Sequence, residues 1–107
     1  MIDLSGRVTY IDRVCNLVAQ ETGLKSKMLI NYYALLVLVK GENVTLSDIH
    51  DGWAMNMNFK DTTPYCYGHD HFSLVPFEEL SELSQNKDIP YMEALHRVAR
   101  KINGKQP

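Results

Sequence analysis

Apolar residues recur at three- and four-residue steps through the first part of the chain. Val8, Ile11, Val14, Cys15, Val18 and Ala19 fall on one side of a helix, and Gly23 stands where a left-handed cap would end it. This pattern predicts an amphipathic helix over residues 7–22. The next stretch is apolar nearly all round: Met28, Leu29, Ile30, Tyr32, Tyr33 and Ala34 precede the run 35–39, with Gly41 behind it. It predicts a helix over residues 26–40 buried on most sides, while the β-branched content of the run is compatible with a strand. Thr45 and Asp48 have the spacing of a capping box, which places a third helix over residues 46–58. Between 59 and 73 the periodicity stops. Asp61, Thr62, Thr63, Pro64, Gly68 and Asp70 predict an irregular loop that carries Tyr65, Tyr67 and Phe72. Phe77, Leu80 and Leu83 then mark a short helix behind Pro76. Asp88 and Pro90 open a last helix over residues 90–102, with the stripe Met92, Leu95, Val98, Ala99 and Ile102. The fold class expected is mainly α: one compact helical domain, 1–107, with an aromatic irregular loop and room for short extended pieces.

Composition narrows the class of protein. With 107 residues, 45% of them hydrophobic and 22% charged, the chain suits a single ordinary globular core. A net charge of -2 gives no general attraction to nucleic acid or to anionic lipid, so neither is expected as a partner. Cys15 lies on the apolar face of the first predicted helix, where a thiol acts as a small hydrophobe, so no disulfide to Cys66 is expected. The first ten residues lack the pattern of a signal peptide, and the longest apolar run is too short to span a bilayer. The expected location is cytoplasmic, the host cytoplasm if the protein is phage-encoded.

From the third helix onward the residues follow a recognisable order. Ile49, His50, Trp53 and Ala54 come first, then Tyr65, Tyr67 and Gly68, then His71, Leu74, Val75, Pro76, Phe77 and Leu80, and finally Asp88. This order resembles the repeat domain of ryanodine receptors, in which an aliphatic residue precedes His-x-x-Trp-Ala and a His-x-x-Leu-Val-Pro element follows an aromatic-x-Tyr-Gly element. The similarity covers residues 47–102, leaving an added helical segment at 7–40. Two features depart from the repeat. Only His69 and Asp70 separate Gly68 from His71, where receptor repeats have a longer charged loop, and the first helix matches no part of the motif. The resemblance implies a helical recognition module, not an enzyme. Receptor repeats work in pairs around an adenine-nucleotide site that uses tryptophan, and prokaryotic relatives occur near defence and nucleotide-signalling proteins. It therefore implies a small nucleotide-derived ligand on Trp53, Tyr65 and Tyr67, held by a sensor or by a phage anti-defence sponge.

Individual residues carry two readings each. His50 and Trp53, three apart, share a helix face and could hold an adenine ring, or could serve as core anchor and loop tie. His71 would add a hydrogen bond, and Arg97 or Lys60 would meet phosphate. Arg97, Arg100 and Lys101 also suit the C-terminal end of a helix with no further role. Cys66, His69 and His71 are of the type zinc accepts, but their spacing fits no zinc pattern, so no metal and no cofactor are expected. No nucleophile elbow or glycine-rich phosphate loop is present, and an enzyme is not expected. The sequence expectation is thus a non-enzymatic binder acting as a homodimer, with apolar residues of the first helix contributing to the dimer. A protein-interaction module with no small-molecule ligand is the alternative.

Overall fold

The computed structural model describes residues 8–60 and 73–104. Helix α1 (Tyr10–Thr22) begins where a capping box places it. The Thr9 hydroxyl accepts from the Asp12 amide at 3.1 Å, and the Asp12 carboxylate accepts from the Thr9 amide at 2.9 Å. Val8 therefore lies outside the helix, although its apolar phase continued the stripe. Gly23, at φ 75°, ends the helix as expected and donates its amide to the Ala19 carbonyl.

Helix α2 (Lys27–Lys40) follows a Ser26 cap and runs straight through the β-branched stretch, so the strand alternative falls. It buries one side only. Leu29, Ile30, Tyr33, Ala34 and Val37 face the core, while Leu35 is 58% and Val39 71% exposed, which corrects the expectation of burial on most sides. A 3₁₀ turn, Gly41–Asn43, leads to α3 (Leu46–Lys60), and the Thr45–Asp48 box forms in both directions. The single short helix expected after Pro76 is instead two pieces: a 3₁₀ turn, Phe77–Glu79, and α4 (Glu82–Asn86), capped by Ser81. Leu80 is extended between them, and the Gln85 side-chain amide donates to the carbonyls of Phe77 and Leu80, holding the break in place. Helix α5 (Ile89–Ile102) closes the fold.

Helix α5 packs on α1, α2 touches both, and α3 lies against α2 and α5. Val14 and Val18 of α1, Leu95, Val98 and Ala99 of α5, and Tyr33, Val37 and Ile49 from the other two helices make one core. The architecture is mainly α, as expected, and among the described residues no strand is formed. The aromatic loop, with Tyr65, Tyr67 and His71, lies outside the described residues.

Candidate functional site around Trp53 and Asp88

The three-residue spacing puts His50 and Trp53 on one face of α3, their rings stacked with centroids 5.6 Å apart. His50 is 3% exposed and packs on its other neighbour, Phe77, at 6.3 Å. Its Nε2 lies 2.6 Å from the Val75 carbonyl; because a carbonyl only accepts, Nε2 carries the proton. His50 thus ties the segment before the Phe77–Glu79 turn to α3. Trp53 is only partly buried, and the fully enclosed side chains are Tyr33, Ile49, Leu95, Val18 and Val98. The tryptophan is not the core anchor.

Beside this ring pair is a half-open cleft of about 180 Å³, lined among the described residues by His50, Trp53, Ser73, Leu80, Ser84, Lys87 and Asp88. Its wall is an indole and a leucine; its polar rim is two hydroxyls, an ammonium and a carboxylate. Asp88 is the residue before α5, yet its side chain makes no capping hydrogen bond. The side-chain caps Thr9, Ser26 and Ser81 stand on extended backbone and accept from the third helical amide, whereas Asp88, at φ -95° and ψ 3°, lacks the extended backbone that aims a capping side chain at its helix. The carboxylate is left to face the cleft. Burial pushes its pKa above the ordinary aspartate range, against the pull of the nearby His50 and Lys87 charges.

The other candidates lie elsewhere. Lys60 is the last residue of α3. Tyr65, Tyr67 and His71, like Cys66 and His69, fall outside the described residues. Arg97 does not line the cleft: its Nε donates to Glu21 of α1 at 2.7 Å, and Lys101 Nζ donates to the same carboxylate at 2.6 Å. Arg100 meets Glu42 at 3.3 Å. These cations clamp the last helix to α1 and to the Gly41–Asn43 turn, and hydrogen bonds from Arg97 and then Lys101 hold Glu21 below the ordinary carboxylate range. Cys15 carries a free thiol that donates to the Asn31 side-chain oxygen at 3.4 Å. Among the described residues no three His, Cys, Asp or Glu side chains gather as a metal would need, and no helix is long and apolar enough to cross a membrane. Sequence reasoning missed Asp88 as a site residue, treating it as a helix opener. The sequence holds no signal for it, because Asp before Ile-Pro reads as an ordinary helix start. It also missed His96, whose Nε2 donates to the Val44 carbonyl at 2.8 Å.

Fold and cleft together define a small, mainly helical domain with an aromatic, carboxylate-bearing recess at a helix corner. The chain belongs to the family described as a domain of unknown function (DUF7701), whose model matches residues 9–100. No curated protein and no solved structure matches it. The family match corrects the resemblance to the ryanodine-receptor repeat: it takes in α1 and α2, which the repeat motif left unaccounted for. The residues behind that resemblance do local work that any helical fold can require. His50 bonds a backbone carbonyl, Pro76 precedes a 3₁₀ turn, and Asp88 precedes a helix.

Proposed function

We propose that this domain is a non-catalytic recognition module that holds a small nucleotide-derived ligand in the Trp53–Asp88 cleft, as a sensor or a sponge. The observation that carries the reading is the pairing of an indole with a carboxylate that no capping hydrogen bond engages, in one recess. A nucleobase has the matching form, a flat apolar face with hydrogen-bonding groups along its edge, and base–aromatic stacking contributes roughly 1–3 kcal/mol. At about 180 Å³ the cleft is smaller than the roughly 300–1,000 Å³ of pockets that enclose a drug-sized ligand. It suits the base, with sugar and phosphate directed outward. Binding on these contacts is weak, with Kd on the order of 0.1–1 mM. Because Trp53 is the sole tryptophan, its emission reports directly on the cleft. Titration with nucleosides and nucleotides is expected to quench that emission with a matching calorimetric heat; neither signal at millimolar ligand would sink the reading.

A second reading, an interaction module, is favoured by the outer face of α2. Met28, Leu35, Leu38 and Val39 are all exposed there, at spacings that form one stripe along the helix. A second copy of the chain pairing through this stripe would make the protein a homodimer.

A further inference from the structure

We infer that the cleft discriminates among bases and takes guanine, with the base against Trp53, its N1–H and exocyclic amine donating to the Asp88 carboxylate, and its O6 accepting from Lys87. This rests on the preceding reading of the cleft as a nucleobase site and adds which base it selects.

The selection follows from the polarity of the rim. An ionised carboxylate only accepts hydrogen bonds, and its two oxygens suit a pair of coplanar donors. Guanine presents such a pair along its pairing edge, with an acceptor next to it. Adenine and cytosine each place a ring-nitrogen lone pair beside their amine, and that lone pair would oppose a carboxylate oxygen. Uracil offers one ring donor between two carbonyls. Only guanine shows acceptor, donor, donor in sequence. Lys87 and Asp88, adjacent in the chain and both lining the cleft, supply the complementary donor and acceptors. Three other features leave this role to Asp88. His50 Nε2 is committed to the Val75 carbonyl, so the imidazole does not use that nitrogen to read a base. The Asp88 backbone, at φ -95° and ψ 3°, is not that of a side-chain cap, and its carboxylate makes no capping hydrogen bond to its own helix. Arg97, Lys101 and Arg100 are engaged with Glu21 and Glu42, so no guanidinium from α5 neutralises Asp88. An arginine side chain from another molecule shares guanine's donor pair, but it lacks the acceptor and would bring a cation up to Lys87.

The test is titration of the full chain with guanosine, adenosine and methylguanidinium at slightly alkaline pH, read by Trp53 emission and calorimetry. Guanosine is expected to bind about five- to tenfold more tightly than adenosine, the lower part of the range for a bidentate base contact. Asp88→Asn offers one donor and one acceptor, matching adenine's edge, and is expected to abolish or reverse the preference. Lys87→Met is expected to weaken guanosine and leave adenosine unchanged. Far-ultraviolet circular dichroism and a melting curve establish that each variant is folded, and the wild-type ratio decides the matter should a variant fail to fold. Equal affinity for the two nucleosides, an unchanged ratio in folded Asp88→Asn, or methylguanidinium binding as tightly as guanosine overturns the guanine assignment while leaving a ligand site in the cleft. Absence of binding by any of the three probes removes the cleft reading itself.

Discussion

His50 shows how much a single side chain does in this fold. Its ring fills the space between Trp53 and Phe77, and its Nε2 satisfies the Val75 carbonyl across 25 positions of sequence. Alanine at position 50 would leave that carbonyl without its donor and open a gap between two aromatic rings. Losses of these kinds together amount to about 2–4 kcal/mol, a large part of a total stability of about 5–15 kcal/mol. Urea denaturation of His50→Ala is expected to show a lowered midpoint; a loss under about 1 kcal/mol would mean the tie is dispensable. The three-residue spacing of His50 and Trp53 was legible in the sequence, and so was their shared face. Which of the two is enclosed was not, because the carbonyl that captures His50 lies 25 positions further along the chain.

At the scale of elements, Gly52 governs how α2 and α3 meet. A glycine inside a helix costs about 1 kcal/mol relative to alanine, so its presence in α3 calls for a reason. A Cβ at this position would lie 2.9 Å from Tyr33 Cε1 and 3.1 Å from Cδ1. Tyr33 is 2% exposed and packed in the core, with the Tyr91 ring 6.4 Å away, so it has little room to withdraw. Gly52→Ala is therefore expected to destabilise the protein by about 1–3 kcal/mol, overcoming its gain in helix propensity. Thermal unfolding checks this, and an unchanged or higher melting temperature would show that the tyrosine yields. Two element boundaries were readable from their caps: the Thr45–Asp48 box and Gly23 mark what the structure contains. The Thr9–Asp12 box is equally local, but the apolar phase of Val8 concealed it. The break between the Phe77–Glu79 turn and α4 depends on the Gln85 side chain, which periodicity does not register.

Across the whole molecule, the disposition of apolar surface separates α1 from α2. Val14 and Val18, the middle of the α1 stripe, are used within the chain's own core, while Val8 and Ile11 at its start stay exposed. On α2 a whole apolar stripe lies outside, with Leu35 and Val39 its most exposed members. A two-fold pairing through a self-complementary apolar stripe gives a closed dimer. Light scattering at tens of micromolar is expected to return twice the 12.3 kDa chain mass, falling to the monomer mass on combined Leu35→Glu and Val39→Glu substitution without loss of helical signal. A wild-type monomer at that concentration would rule the pairing out.

Taken by itself, the sequence determined the helical class, the approximate extent of four long helices and two of their caps, Gly23 and the Thr45–Asp48 box. Each of these rests on periodicity or on hydrogen bonds between residues only a few positions apart. Tertiary structure alone decided what the polar side chains are for. Arg97 and Lys101 lie 76 and 80 positions from Glu21, yet the packing of α5 on α1 commits both to it and takes Arg97 out of the cleft. The same packing turns one face of α2 inward and leaves the other open, a distinction that a helix apolar on nearly all sides cannot express. Asp88 combines the two levels. Its place before Ile89 and Pro90 reads locally as a helix start, but only the corner formed by α3, α4 and α5 puts its carboxylate beside Trp53, because a cleft is made by chain segments that the sequence keeps apart.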